Sequence, residues 1–441
     1  MTKKMTTLLC GAARRCVTPP LGLNIPQCMS FNPATGVKDE LYTHAVALEA
    51  AGKCVILISI DTGGLGAAFT KRVREALQRE LGIDPAGVMV SAIHIHTGGP
   101  QLMEVFWGQG EDKSVTELFF RETVAAAVEA YGSRVPVTAR YGATEDRRFG
   151  FCRNYRMRDG SIKMNPGRAR AAEIVGPVSE IDHTLSTLRF DDAAGRPVAE
   201  IVNYACHPDT VGGTKYCADF PGALRRRLRE AYGEAHTVLF LNGFSGNVNH
   251  IDFTRYTDPD FGYAKDHYEV MGRALGESVL ELHRTGLEAV DSPAVAFASR
   301  RFRAPRRQPS AAEVENAERT LADETAGGVS KRMAQEVLRL HRHPRQTELV
   351  EIQVLRVGEI YVVGFPGEPF ADIGLRLRER VAPRQLILSE LAGNELGYFA
   401  TEPAYSAGVY EAVLPSDPFE LPVIERMIDV AEALIAKAEK Q

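Results

Sequence analysis

The sequence predicts an α/β protein, a mixed β-sheet core covered by helices. It reads as one large domain over residues 1–441, with 304–346 a charged helical surface insertion. Three observations predict this. Short apolar runs alternate with amphipathic stretches through the first two-thirds of the chain. No linker rich in Pro, Gly or Ser divides it, and no internal repeat is present. Its 44% hydrophobic and 25% charged residues are ordinary for a soluble globular protein.

The elements follow in order. "KCVILISID" (53–61) is a buried strand, and "AAFTKRVREALQREL" (67–81) has helical spacing. "GVMVSAIHI" reads as a strand carrying His94 and His96 on one face, since residues i and i+2 of a strand point the same way. "SVTELFFRETVAAAVEAYG" (114–132) is a helix. "VTARYGATE", "TLSTLRFDD" and "PVAEIVNYACHP" are strands, the last ending at His207. "FPGALRRRLREAYG" is a helix, and "HTVLFLNGFSGNVN" is a strand running into a glycine-rich loop. Residues 262–286 look helical. The insertion at 304–346 holds two helical stretches split by "AGG"; a lid, a docking arm and a plain solvated hairpin all fit it. "ELVEIQVLRVGEIYVVGFPGE" is a hairpin around "VGE". A helix (369–381), the strand "QLILSEL", a loop-rich stretch to about 417 and a terminal amphipathic helix complete the chain.

The formal net charge of -5 gives no reason to expect nucleic acid as a partner. No apolar run approaches the roughly 18 to 20 residues of a transmembrane segment. "TTLLCGAA" is too short for the apolar core of a signal peptide. The seven cysteines form no CxxC pair and no framework spacing, which fits a reducing compartment. The expected location is cytoplasmic. A homo-oligomer is left open.

Four junctions collect the reactive side chains: His94 and His96, His207 in "NYACHPDTVGG", Glu368 in "VVGFPGEPF", and the tyrosines 398, 405 and 410 of "ELGYFATEPAYSAGVYE". In α/β folds, sites form where strands end. Two or three histidines plus a carboxylate is a donor set that Zn²⁺ takes in catalytic sites. Each signal also has a structural reading: a strand-end histidine, a helix-start glutamate beside the helix dipole, a packed tyrosine. "GFSGN" around Ser245 nearly matches the nucleophile elbow Gly-x-Ser-x-Gly, so a serine hydrolase is a rival.

The segments "GAARRCVTPPLG", "SAIHIHTGGP", "NYACHPDTVGG" with "ADFPG", "LNGFSGNVN", "FPGEPF" and "GYFATEPAYSAGVYEA" together resemble the neutral (non-lysosomal, alkaline) ceramidase family, in its catalytic N-terminal domain only. "HIHTGGP" is similar to the family's His-x-His-Ser-Gly-Pro. The resemblance implies a zinc-dependent amidohydrolase of sphingolipid metabolism that cleaves a linear N-acyl bond with zinc-activated water. It implies zinc held by His94, His207, Glu368 and Tyr398. It places His96 as the proton carrier, Tyr410 as a hydrogen-bond donor near the scissile carbonyl, and Arg153 as the active-site arginine. Asn249 stands where ceramidases have a site-linked serine. That departure leaves room for another metal-dependent reaction on the same scaffold, such as ester or amide hydrolysis or lyase chemistry on a polar or sugar-like substrate. A non-catalytic binding protein is the remaining alternative. The expected partner is a small-molecule or lipid-like N-acyl substrate.

Overall fold

The computed structural model describes residues 7–25, 32–106, 109–110, 112–255, 266–291 and 294–441. Two β-sheets form the centre. The larger runs in the order Thr237–Asn242, Pro197–Tyr204, Thr184–Asp192, Val135–Glu145, Leu8–Cys16, Tyr42–Ala50, Lys53–Ile60 and Val88–Ala92, and Glu288–Ala289 also pairs with Val135–Glu145. The smaller runs Val295–Pro305, Thr347–Val357, Ile360–Gly364 and Gln385–Ser389. Neighbours are antiparallel except three pairs. Lys53–Ile60 runs parallel to Val88–Ala92, Pro197–Tyr204 to Thr237–Asn242, and Ile360–Gly364 to Gln385–Ser389.

Side-chain alternation builds the layers. Along Tyr42–Ala50, Ala45 and Ala47 face one core while Val46 and Leu48 face another. The first core packs the large sheet against helices Ala67–Leu81, Lys113–Gly132, Asp219–Tyr232 and His267–Thr285. The second joins the two sheets, with Val55, Leu57, Phe190 and Leu239 meeting Leu355, Val362 and Ile387. A third core packs the outer face of the small sheet against helices Ala371–Val381 and Pro422–Glu439. The mixed α/β architecture expected from the sequence is therefore present, as helices, sheet, sheet and helices. The large sheet also bends until its two ends approach: the Ser59 hydroxyl, on the strand next to one edge, donates to the Phe240 carbonyl on the opposite edge strand at 2.5 Å. That closure brings the ends of distant strands together.

Several boundaries differ from the sequence reading. The strand expected through Ile95 stops at Ala92, and His94 has a left-handed φ of 71°. His94 and His96 are therefore set by a turn, not by strand alternation. The strand expected to end at His207 stops at Tyr204. Glu368 does not start a helix; Glu368–Pro369 pairs in parallel with Tyr398–Phe399, which puts Glu368 opposite Tyr398. The helix expected over 262–286 is described from His267 to Thr285, and 262–265 lie outside the described residues, as does Cys28. The six described cysteines are free. The insertion is a helical hairpin, Ala311–Ala322 and Gly328–Arg342, and Ser310 opens it with a capping box to Glu313. Strands Leu8–Cys16, Tyr42–Ala50 and Val295–Pro305 had no counterpart in the sequence reading.

Candidate metal centre

The three parallel pairs end at one place. After Val88–Ala92 the chain turns sharply at His94, whose N–H donates to the Thr62 carbonyl at 3.0 Å. A non-glycine residue at positive φ costs on the order of 1 kcal/mol or more, and such strain gathers at functional sites. The His94 Nδ1 lies 2.6 Å from the Gly63 carbonyl oxygen. The His207 Nδ1 lies 2.9 Å from the Ser245 carbonyl oxygen. A carbonyl at Nδ1 fixes the proton there and leaves Nε2 with a free lone pair. Ser245 is itself fixed, since its N–H and hydroxyl both donate to Glu390, at 2.8 and 2.7 Å.

Glu368 completes the group. Its Oε2 lies 3.1 Å from Nε2 of His94 and 3.1 Å from Nε2 of His207. Proximity alone makes these ion pairs. With each Nδ1 protonated, however, none of the three atoms has a hydrogen-bond partner among the described residues. Lone pairs this close require either a proton on His94 or a metal ion between them. His94, Glu368 and His207 are 4%, 6% and 0% exposed, so water does not relieve the charge. Burial lowers the His94 basicity, but the Glu368 carboxylate outweighs it and raises the pKa to about 10. Burial raises the Glu368 carboxyl, yet His94 and His207 hold it well below the usual range. His N and carboxylate O are donors that suit Zn²⁺, and the orphaned atoms fit such an ion.

His96 stands beside this group. Its ring centroid is 5.1 Å from that of His94 and 5.7 Å from that of His207. The ligand nitrogens of His94, His96 and His207 all lie within 4.8 Å of one another. Geometry thus offers His96 either as a ligand or as a base. Burial, then the neighbouring His94, lowers its pKa to about 3, which keeps the ring neutral.

Tyr398 lies parallel to the His207 ring at 6.4 Å. Tyr410 meets Tyr398 edge-on at 6.0 Å, and burial pushes both hydroxyls up, so both remain donors. The Arg153 guanidinium sits 5.4 Å from the Tyr398 ring centroid, and its Nε donates to Glu411 at 2.8 Å. Its second terminal nitrogen, Nη2, is buried without a hydrogen-bond partner among the described residues. Asn249 is turned elsewhere: its amide nitrogen donates to Asn165 at 2.8 Å, and its oxygen accepts from the Ile251 N–H at 3.1 Å. Tyr405 donates to Glu420 at 2.9 Å, away from the histidines.

The sequence reading did not assign Glu390 or Glu411. Glu390 props the carbonyl that orients His207, and Glu411 holds both Arg153 and Asn154. Nothing in local spacing marks them, because their partners lie about 150 to 260 positions away. The serine-hydrolase rival is not supported by the geometry. Ser245 is fully buried, its hydroxyl is given to Glu390, and a two-residue strand follows in place of a helix.

No family model matches the chain. A 40-residue segment is 50% identical to the neutral ceramidase of Mycobacterium tuberculosis (strain ATCC 25618 / H37Rv), a match spanning 9% of this chain and 6% of that protein. The crystal structure of neutral ceramidase from Pseudomonas aeruginosa is similar to 98% of this chain and 75% of its own, with a TM-score of 0.73 at 17% identity. A ceramidase complexed with C2 gives a TM-score of 0.72 at 16% identity, with the same coverage of both chains. The chain therefore has the ceramidase fold, as its motifs led one to expect.

Proposed function

We propose that the protein is a zinc-dependent amidohydrolase that cleaves a linear N-acyl bond. One observation carries this reading. Three buried donor atoms, on His94, His207 and Glu368, meet without hydrogen-bond partners among the described residues, where the strands of a ceramidase-like fold end. His94, His207 and Glu368 would hold the metal, with Tyr398 or His96 completing the set. Zinc bound there supplies Lewis-acid polarisation of the carbonyl and brings the pKa of water from about 15.7 toward about 7.

The rest of the chemistry belongs to the chain. His96 Nε2 is buried with no partner among the described residues; it takes the proton released on attack and returns it to the departing amine, a role that needs its basicity raised above the value set by burial and a charged His94. The Tyr410 hydroxyl and the Arg153 guanidinium donate to the oxygen that gains charge at the scissile carbonyl. Both are held in place before reaction, Arg153 by Glu411 and Tyr410 by packing against Tyr398. Fixed donors of this kind stabilise a transition state without reorganising. A second reading, another metal-dependent reaction on a polar substrate, is favoured by Arg306, Glu336, Arg339 and Glu348, which line the cavity that also holds His94 and Glu368.

Elemental analysis joined to a hydrolysis screen tests the reading. About one equivalent of zinc, N-acyl cleavage abolished by chelation and restored by zinc are expected. Full amidase activity in metal-free protein would sink it.

A further inference from the structure

The His94, His96 and Glu368 side chains open into a cavity of about 470 Å³, a size typical of small-molecule sites. Its inner wall carries polar groups that the mechanism does not use. Gln101 is only 5% exposed, yet neither atom of its amide has a partner among the described residues. Glu395 accepts the Gly397 N–H at 2.6 Å through Oε1, while its Oε2 is buried with no partner among the described residues. The two side chains converge over Gly64. A Cβ built there would lie 2.6 Å from Gln101 Oε1 and 3.6 Å from Glu395 Oε2. Glycine keeps that space open. Leaving a buried polar group unpaired is costly, so three such atoms at one cavity mark a place where a ligand's own polar groups complete the pairing. An amide offers both a donor and an acceptor, which matches a hydroxyl or a second amide.

The outer wall is the helical insertion and the strands that flank it. Arg306 and Arg345 share Glu348 at 2.9 and 3.8 Å, and Arg339 pairs with Glu336 at 2.6 Å. All five line the cavity. Met103, Leu340, Leu396 and Pro418 share the lining with them, so an alkyl chain would find apolar contact only by also covering ion pairs and stripping their water.

We propose that Gln101 and Glu395 are specificity residues that hydrogen-bond a polar group of the substrate. The cavity then takes a short, water-soluble N-acyl compound bearing hydroxyl or amide groups in preference to a long-chain lipid amide. The inference rests on the amidase reading.

The test assays the zinc-loaded enzyme on N-acetyl and N-hexadecanoyl derivatives of amines carrying a hydroxyl, a carboxamide or neither. N-acetyl compounds should exceed their hexadecanoyl partners at least tenfold in kcat/KM. Deleting the polar substituent should lower kcat/KM at least tenfold in the wild type, mostly through KM. In Gln101→Leu the same deletion should matter less than threefold, with zinc content unchanged, and Glu395→Gln should show an intermediate effect. Preference for the hexadecanoyl compounds, or indifference of the wild type to both polar substituents, overturns this inference and leaves the amidase reading standing. Cleavage of none of the compounds overturns both. The wild-type arms decide even where a variant does not fold.

Discussion

Replacing Glu368 by Gln keeps the side-chain volume and removes one charge from the point where His94 and His207 meet. Oε2 lies 3.1 Å from both imidazole nitrogens, and both Nδ1 atoms face backbone carbonyls. The carboxylate is thus the one anionic donor against two neutral ones. An opposite unit charge about 4 Å away contributes about 4 kcal/mol at an effective dielectric of about 20. Losing it should weaken zinc binding on the order of a thousandfold. Dialysis against a buffered zinc solution followed by elemental analysis reads the stoichiometry, and thermal unfolding with and without chelator reads the linkage. At a hundredfold excess over Kd, zinc should stabilise the wild type by about 2.7 kcal/mol. Glu368→Gln should hold less than about a tenth of an equivalent under the same conditions and show no chelator-dependent shift. A variant that binds zinc within tenfold of the wild type would refute the reasoning. So would a wild type whose unfolding ignores the chelator, because His94 and Glu368 would then be a plain buried ion pair.

Other perturbations probe the supports. A Cβ at Gly246 would lie 2.4 Å from the Glu368 carbonyl oxygen and 3.1 Å from two further backbone atoms, so Gly246→Ala must push the Glu368 segment aside. It should lose about 1–3 kcal/mol in urea unfolding and bind zinc at least tenfold more weakly. Tyr410→Phe removes a donor and no ligand: kcat should fall about 10²–10³-fold at unchanged zinc content in steady-state assays. His267 lies between the Phe149 and His250 rings, and burial, then the His250 charge, lowers its pKa to about 4. The unfolded value near 6.5 is higher, so the unfolded chain takes the proton first. This contribution is complete above about pH 6.5 and is lost as pH falls toward 4, by about 2 kcal/mol after discounting for solvent screening. His267→Phe should remove that part of the pH dependence, as read from urea midpoints at pH 7 and 4.5.

What could be read from the residues depended on how local the cause was. Helix Ala67–Leu81 was legible to the residue, because its apolar spacing and the glycine after it are local. Strand Tyr42–Ala50 was not. "YTHAVALEA" is rich in Ala, Leu and Glu, and only its central position in the sheet overrides that preference. "LLCGAARRC" likewise lacks β-branched residues. At the site, His94, His207 and Glu368 were reached through motif resemblance, and the structure brings them together. How they get there was illegible: a left-handed turn at His94 and a bridge from Glu368 to Tyr398 replace the expected strand and helix. Glu390 and Glu411 act through neighbours that folding supplies, and Gln101 and Glu395 are brought to the cavity by folding alone, so no spacing rule could find them.

The helical hairpin over 311–342 reaches the cavity from a stretch of chain that contributes none of the three donor atoms. The hairpin's part in selecting the guest is therefore written in one passage of the gene and the cleavage of the bond in others, which also hold Gln101 and Glu395. A lineage could rewrite the first passage, exchanging one diet for another, and leave the cutting edge as it was.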